Sequence, residues 1–503
     1  MNISIDKSSS LPIYRQIHRQ IREIILAGDL PTGFRLPPER RLAEAVGVTR
    51  TTVINAYDLL KSEGLVDARV GHGTVVTPPR QPYPDGDESR SVSWTHYFRD
   101  EGLRAPDPLV RNLLEAASRP DVISFAIGLP SPSDLPLAAF DAASRHVIEE
   151  SGPYALLQTP TEGFAPLRES LSRWLIKRGM VCSADEVLIL SGSQQGLHLA
   201  SRVFLNPGDT VIVEGPTYFG AMEAFRRSGV RLLAVPTDAE GMQVDVLASL
   251  LRHHRPKLIY VQPSFQNPSG VVLSLERRRQ LLQLAMRYGI PILEDDTYSE
   301  LRYDGSSLPT LKALDTAGLV MMLGTFSKIL FPGFRLGWLI APRAVIHQFA
   351  LAKQIEDLHA GTYAQMVVDR LIRTGDLDAH IGASRSIYKE RRALMAGALD
   401  RHAVEGMKWK TPEGGFYFWC ELPQRVERSR LSENAADERV SFLPGYPCFA
   451  EDPPTTHIRV SFSFPPKEKM EEGIRRLMKA VKGSFAVRER GWDRQHTATR
   501  PLV

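Results

Sequence analysis

The chemically most reactive position in the sequence is a lysine that follows an apolar strand and stands near hydroxyl and guanidinium groups. Lys328 closes the motif Gly-Thr-Phe-Ser-Lys, in which Thr325 is the second residue, and Arg335 follows seven residues later. A lysine forms an imine only when its amine is deprotonated, and burial beside a cation lowers its pKa. Lys328 could therefore bind pyridoxal phosphate covalently, while Thr325 and Arg335 hold the phosphate group. Taken alone, such a lysine more often lies at the exposed end of a strand.

Two other strand ends carry polar groups that suit the ring of the same cofactor. Asp295 ends the apolar run Pro-Ile-Leu-Glu, and its carboxylate can pair with a protonated pyridine nitrogen. Tyr298 lies three residues further on, and Asn267 ends another strand; both side chains can donate to the phenolic oxygen of the ring. In isolation, Asp295 more often caps a helix and Asn267 more often forms a turn before a proline.

Three further segments could complete a binding site. Ser193 and Gln194 belong to a loop of small residues that joins a strand to a helix, where free backbone N–H groups can bind a phosphate. Tyr218 could stack on the cofactor ring, and core packing explains this tyrosine equally well. Arg459 stands in a strand-like run, and its planar guanidinium matches the carboxylate of an amino-acid ligand. A surface ion pair is an equally common role for such an arginine.

A second group of polar residues lies near the N-terminus, at the start of a short helix. Thr49 is placed to cap a helix over residues 50–62, and a shorter helix over residues 39–46 precedes it. Residues 65–77 alternate as two short strands around a glycine-rich tip. Helix, turn, helix and hairpin are the outline of a winged helix-turn-helix, in which the start of the second helix faces phosphates or base edges of DNA.

The elements that position these groups fall into two domains and a linker. Residues 1–77, here called the head, hold the helices and the hairpin, and residues 78–108, rich in proline and charge, are typical of a linker. Residues 109–485, here called the body, alternate apolar strands with helices, which predicts an α/β domain with a mostly parallel sheet. The polar segment 486–503 is predicted to form a frayed tail.

Composition restricts the partners and the location of the chain. Its 62 basic and 58 acidic residues give a net charge of +4, and residues 1–80 hold 11 of the basic and 8 of the acidic ones, so a polyanion is favoured as a partner of the head alone. The first residues lack the apolar core of a secretion signal, and the most apolar stretch, 319–340, contains two cations. We therefore expect a cytoplasmic protein without a membrane span. Three widely separated cysteines predict neither a disulfide framework nor a metal site.

The head resembles the DNA-binding domain of the GntR family. The motifs Pro-Ile-Tyr-Arg-Gln-Ile, Gly-Phe-Arg-Leu-Pro-Pro-Glu-Arg-Arg-Leu-Ala and Val-Gly-Val-Thr-Arg-Thr-Thr-Val occur in the order and spacing of that family. Ile54 stands where some members carry an arginine, so the operator specificity of the family is not transferred. The resemblance implies that the head binds double-stranded DNA and that its contact residues are Arg40, Arg50, Thr51, Thr52 and Gly71.

The body, from about residue 110 to 485, resembles the fold type I aminotransferases in the order of all the motifs above. The resemblance implies a large domain with a mostly parallel sheet, a small C-terminal α/β lobe from about residue 390, and pyridoxal phosphate as the cofactor. It also implies the roles of individual residues: Lys328 binds the aldehyde, Asp295 the pyridine nitrogen, Asn267 and Tyr298 the phenolic oxygen, Ser193, Gln194, Thr325 and Arg335 the phosphate, and Arg459, with Gly128 near it, a carboxylate, while Tyr218 stacks on the ring.

A GntR-type head joined to such a body resembles the MocR/GabR family of transcriptional regulators. This resemblance implies a homodimeric regulator that senses an amino compound or pyridoxal phosphate, with linkers long enough to swap the heads between subunits. The alternative is an active aminotransferase with a secondary DNA-binding head, because Asn267 and the spacing from Asp295 to Tyr298 are those of working aminotransferases. A scaffold without cofactor is a third interpretation. Gln158 stands where many aminotransferases place a tyrosine that serves the other subunit.

Overall fold

Two units make up the chain, residues 1–99 and residues 100–503. The computed structural model describes most of both units, namely residues 3–6, 9, 11–69, 73–78, 115 and 119–486. The predicted linker beyond Pro78 and the predicted tail beyond Ala486 lie outside the described residues, so the domain boundaries inferred from the sequence stay predictions.

The head contains three helices and a two-stranded antiparallel hairpin. These are α1 (Ile13–Leu26), α2 (Glu39–Val46), α3 (Arg50–Ser62), β1 (Val66–Arg69) and β2 (Gly73–Val76). Helix α2 ends at Gly47, whose φ of 66° is left-handed, and the Thr49 hydroxyl caps α3 by accepting a hydrogen bond from the Thr52 N–H. The three helices and both strands share one apolar core. The predicted winged helix-turn-helix is confirmed.

An eight-stranded mixed sheet forms the centre of the body. Its strands are β4 (Val187–Leu190), β5 (Thr210–Gly215), β6 (Arg231–Asp238), β7 (Gly241–Met242), β8 (Leu258–Val261), β9 (Ile292–Asp295), β10 (Val320–Thr325) and β11 (Gly337–Ile340), in the spatial order β4-β11-β10-β9-β8-β5-β6-β7. The five strands β10, β9, β8, β5 and β6 run parallel, whereas β11 and β7 run antiparallel to their neighbours. The predicted mostly parallel sheet is confirmed.

Helices cover the sheet because most of its strands are buried on both faces. The α-helices of this part of the body are α4 (Leu137–Ser151), α5 (Ala165–Ile176), α6 (Ser193–Phe204), α7 (Phe219–Arg226), α8 (Val244–His253), α9 (Leu275–Tyr288), α10 (Leu311–Leu314), α11 (Arg343–Glu356), α12 (Thr362–Thr374) and α13 (Asp376–His402). Within the part of the chain that the structure describes, none of the helices has both the length and the apolar character needed to cross a bilayer.

A smaller lobe follows α13 and is built on an antiparallel sheet. It contains β12 (Lys408–Trp409), β13 (Tyr417–Glu421), α14 (Arg428–Asp437), β14 (Val440–Ser441), β15 (Leu443–Pro444), β16 (His457–Ser461) and α15 (Met470–Gly483). The four-stranded sheet has the order β12-β13-β16-β15. The first strand of the body, β3 (Ile123–Ser124), pairs with β14, so the chain enters the body along this lobe and then reaches the large sheet.

Candidate functional site

The carboxyl ends of the parallel strands meet at one edge of the large sheet, where ligands of open α/β sheets usually bind. Leu323 on β10 is opposite Asp295 on β9, and Val261 on β8 is opposite Glu294, so the polar residues that follow these strands become neighbours. A cavity of about 260 Å³ lies at this edge. All body residues singled out from the sequence line it: Lys328, Asp295, Asn267, Tyr298, Tyr218, Ser193, Gln194, Thr325, Arg335, Arg459 and Gly128.

Asp295 is a buried carboxylate held by three donors. Its side chain is 3% exposed, one oxygen accepts hydrogen bonds from the Tyr260 hydroxyl at 2.7 Å and the Gln262 amide at 2.9 Å, and the other accepts from Thr297 at 2.6 Å. Burial raises the pKa of Asp295, and these hydrogen bonds counter that rise. The arrangement directs a carboxyl group, whose three donors favour its charged form, at the cavity and suits a cationic ring nitrogen.

Lys328 extends into the cavity from the loop that follows β10. Its Nζ donates a hydrogen bond to the carbonyl oxygen of Gly128 at 2.7 Å. Burial and the positive charges of Arg459 and Arg335 lower the pKa of Lys328 to about 7. A large fraction of this amine is therefore deprotonated at neutral pH, which is the state that attacks an aldehyde.

One end of the cavity is suited to a phosphate group. Helix α6 begins at Ser193, so its first N–H groups have no acceptor within the helix and point outward. Arg335, in a left-handed conformation with φ of 53°, donates to the Ser327 hydroxyl at 3.3 Å, and the Thr325 hydroxyl accepts from the Ser327 N–H at 3.1 Å. A Cβ on Gly192 would lie only 2.6 Å from Nη2 of Arg335, so the guanidinium requires a glycine there.

Tyr218 lies on the wall of the cavity beside the start of α6. Its hydroxyl donates to the Gln194 side-chain oxygen at 3.2 Å, and the Gln194 amide donates to the carbonyl of Gly220 at 3.1 Å. Burial raises the pKa of Tyr218 to about 12, so its hydroxyl stays protonated. The ring is half-buried and faces the cavity, which is consistent with stacking as well as with packing.

Arg459 on β16 is buried rather than exposed at a strand end. It is 5% exposed, and its two Nη groups donate to Asn267 Oδ1 at 2.7 Å and to the carbonyl oxygen of Ala126 at 2.6 Å. The interpretation of Arg459 as a surface ion pair is therefore wrong. Because Asn267 accepts from Arg459 through its oxygen, its amide nitrogen is left to donate into the cavity. Gly128 lines the same cavity as this arginine, and its carbonyl accepts the hydrogen bond from Lys328.

Several residues of the site were not predicted from the sequence. Tyr260 and Gln262 alternate on β8 and its end, so they share one face of the sheet and both reach Asp295. Their alternation along the strand could have indicated from the sequence that both residues face the site. Tyr417, on β13 of the small lobe, donates to or accepts from the Tyr298 hydroxyl at 2.7 Å. No local motif indicates this contact, because the two tyrosines lie 119 residues apart.

The predicted DNA-contacting residues of the head lie at the start of α3 and on α2. Arg40 and Arg50 have exposed side chains, paired with Glu44 at 3.5 Å and Glu39 at 2.9 Å respectively. Thr51 is exposed and Thr52 is partly buried near the cap of α3. All four residues belong to α2 or to the first turn of α3, and the ion pair of Arg50 with Glu39 joins the two helices, whereas Gly71 lies outside the described residues.

The donor set of the cavity fits pyridoxal phosphate. Its lining includes a carboxyl group that could pair with a protonated ring nitrogen, N–H groups and a guanidinium that could bind a phosphate, and a lysine whose pKa of about 7 favours attack on an aldehyde. Because Gly192 has no Cβ, the guanidinium of Arg335 can lie close to the start of α6. The residues present are therefore those that this cofactor requires.

Comparison with known proteins gives two matches within the chain. The model of the aminotransferase class I and II family matches residues 120–477, and that of the bacterial regulatory proteins of the gntR family matches residues 13–76. Among solved structures, a kynurenine aminotransferase from Pyrococcus horikoshii, in complex with PMP, is 39% identical, with a TM-score of 0.75 over 79% of this chain and 99% of that chain.

Two curated proteins match nearly the whole chain, including its head. The uncharacterized HTH-type transcriptional regulator YisV of Bacillus subtilis is 31% identical over 469 residues, which are 93% of this chain and 96% of YisV. The probable rhizopine catabolism regulatory protein MocR of Rhizobium meliloti is 29% identical over 482 residues, 95% of each chain. The aminotransferase structure covers the body, whereas these two proteins share both parts.

Proposed function

Because the chain belongs to the class I and II aminotransferase family and carries a gntR-family head, as regulators of the MocR type do, we propose that it is a transcriptional regulator that senses an amino compound. The head binds DNA, and the body binds pyridoxal phosphate and, through that cofactor, the amino compound. The observation that carries this proposal is the presence, in one chain, of a gntR-family head and a cavity whose lining residues suit pyridoxal phosphate.

Pyridoxal phosphate, when bound, supplies an aldehyde carbon that combines with amines and a ring that draws electrons away from them. Asp295 would keep the ring nitrogen protonated, because its carboxyl group accepts three hydrogen bonds that favour its charged form. Asn267 and Tyr298 would donate to the phenolic oxygen. Tyr218 would stack on the ring. The phosphate would be held by Ser193, Gln194, Thr325 and Arg335.

An amino carboxylate suits the groups that remain. The Lys328 amine would be displaced by the amine of the ligand, and its low pKa lets it leave the cofactor uncharged. Arg459 uses both of its Nη groups on Ala126 and Asn267, and its buried Nε has no acceptor among the described residues. A carboxylate oxygen would provide that acceptor. These groups support a ligand that carries both an amine and a carboxylate.

We propose that the ligand acts on DNA binding through a homodimer. The predicted linker, residues 78–108, has 31 residues, and a flexible chain of that length has ends on the order of 30 Å apart, a reach that would allow the heads to be swapped between subunits. A ligand shifts such a protein only through a difference in its affinity for two shapes of the body. Release of Lys328 by the amino carboxylate would let the two lobes of the body shift and would thereby change the spacing of the two heads on a two-part operator.

Nuclease footprinting of the operator tests this proposal. The cofactor-loaded protein should give different footprints with and without the effective amino acid, because the spacing of the heads changes. Lys328→Ala should protect the same bases under both conditions, because it lacks the amine that the ligand displaces. Wild-type footprints that remain equal for every amino acid tested would refute the sensing role.

Aminotransferase activity is a second candidate function, and a specific observation favours it. Asn267, Asp295 and Tyr298 all line the cavity together with a lysine whose pKa is about 7, so no group required for proton transfer is missing from the described site. Incubation with an amino acid and a keto acid distinguishes the two candidates. Many turnovers of keto-acid product indicate an enzyme, whereas a spectral change without product indicates a sensor. Lys328→Ala is the matched control.

A further inference from the structure

Tyr417 touches both ends of the proposed ligand site. It lies on β13 of the small lobe, is 3% exposed, and places its ring 4.0 Å from the guanidinium carbon of Arg459. Its hydroxyl oxygen lies 2.7 Å from that of Tyr298. One side chain therefore contacts the group suited to a carboxylate and the group suited to the phenolic oxygen of the cofactor.

The direction of the hydrogen bond between the two tyrosines follows from their surroundings. Burial and the neighbouring Tyr417 raise the pKa of Tyr298 well above its ordinary value, so Tyr298 keeps its proton. If Tyr298 donates that proton to the phenolic oxygen of the cofactor, its own oxygen is free to accept. Tyr417 is then the donor of the pair, and Tyr298 becomes a stronger donor because hydrogen bonds in a chain polarise one another.

Gly128 fixes the place of the Tyr417 hydroxyl. A Cβ at position 128 would lie 1.7 Å from this oxygen, so any other residue there would displace the tyrosine. The Tyr298 ring packs edge-on against the Tyr417 ring with centroids 5.7 Å apart. The same glycine offers its carbonyl to Lys328, so it is adjacent to both the tyrosine and the lysine.

We propose that Tyr417 is a positioning residue that joins the carboxylate-binding arginine to the cofactor. Its hydroxyl strengthens the hydrogen bond that Tyr298 gives to the phenolic oxygen, and its ring supports the guanidinium of Arg459. This proposal rests on the proposed function, because it requires pyridoxal phosphate in the cavity and Tyr298 at its phenolic oxygen.

Tyr417→Phe in the cofactor-loaded protein tests the role of the hydroxyl. Donation to the phenolic oxygen stabilises its negative charge most when the neighbouring Lys328 nitrogen has lost its proton. Weaker donation therefore lets that nitrogen keep its proton to higher pH. The pH midpoint of the visible absorption should rise by about 0.5 to 1 unit, the size expected for one hydrogen bond. Tyr298→Phe should raise it further, and the double variant should match Tyr298→Phe alone.

The affinity for an amine-free carboxylate, 3-phenylpropionate, separates the ring from the hydroxyl. Tyr417→Phe keeps the ring and should bind this probe within about twofold of wild type, whereas Tyr417→Leu should bind it about threefold more weakly or worse, because a cation–π contact is lost. Both affinities are measured by calorimetry on the cofactor-loaded proteins, with visible absorption and circular dichroism confirming that each variant is loaded and folded.

The possible outcomes separate this proposal from the proposed function. A wild-type protein that develops no visible absorption with pyridoxal phosphate contradicts the proposed function itself. A wild-type protein that does so, together with a Tyr417→Phe midpoint equal to wild type, overturns only the positioning role. Additive effects of Tyr417→Phe and Tyr298→Phe also overturn it, because the hydroxyl would then not act through Tyr298.

Discussion

The lowered pKa of Lys328 leads to a quantitative prediction for cofactor binding. Burial and the charges of Arg459 and Arg335 lower this pKa from 10.5 to about 7. At pH 7.5 about three-quarters of these amines are then deprotonated, against about one in a thousand at the ordinary pKa. The cofactor-free protein should therefore react with pyridoxal phosphate at a rate whose pH midpoint lies near 7.

Arg459→Met perturbs this pKa in a known direction. Removal of a positive neighbour makes protonation of Lys328 easier, so its pKa rises. The loss of one nearby unit charge in a protein environment changes a pKa by on the order of one unit. The pH midpoint should therefore move up by about one unit, and the rate at pH 7.5 should fall about threefold.

Stopped-flow absorption measures the appearance of the bound cofactor from pH 5.5 to 10. Arg401→Gln is the matched control, because Arg401 is an exposed arginine paired with Glu471 and has no contact with the cavity. The control should keep the wild-type midpoint, because it leaves the charges around Lys328 unchanged. The titrations of the free cofactor are the same for both proteins and therefore do not separate their midpoints. A wild-type midpoint near 10, or equal midpoints for Arg459→Met and the control, would refute the electrostatic reasoning.

Three further substitutions test separate parts of the site and the head. Asp295→Asn removes the anion that faces the ring nitrogen and should weaken cofactor affinity about 100-fold or more in equilibrium dialysis; a loss below about threefold would argue against that role. Gly192→Ala puts a Cβ 2.6 Å from Nη2 of Arg335 at a φ of 90° and should weaken cofactor affinity about tenfold without changing DNA affinity, and an unchanged cofactor affinity would contradict it. Glu39→Gln releases Arg50 from its ion pair and should raise DNA affinity about two- to fivefold in fluorescence anisotropy at fixed salt; weaker binding would show that the ion pair orients Arg50 for DNA.

Local signals in the sequence predicted the fold well. The helices over residues 39–46 and 50–62 have the predicted bounds, because Gly47 ends the first in a left-handed conformation and Thr49 caps the second. The apolar runs predicted the parallel part of the sheet, because strands that are buried on both faces carry continuous apolar residues. The antiparallel strand Gly337–Ile340 was not predicted, because its pairing depends on distant neighbours.

The candidate site was predictable where it follows strand ends and was missed where it depends on contacts between lobes. Asp295 and Lys328 follow parallel strands, and the ends of such strands meet at one edge, so their convergence could be expected. Tyr417 comes from the small lobe and meets Gly128 and Tyr298 only after the whole body has folded. The burial of Arg459 likewise depends on Ala126 and on a loop far away in the chain.

The measurement that tests the central claim most directly is a titration of the cofactor-loaded protein with amino acids while visible absorption and operator affinity are followed in the same samples. An effective amino acid should change both signals with the same midpoint, because one binding event drives them. Lys328→Ala should bind the operator with an affinity that no amino acid alters. Operator affinity that stays constant while the absorption changes, or that responds equally in Lys328→Ala, would contradict a regulator that senses its ligand through this lysine.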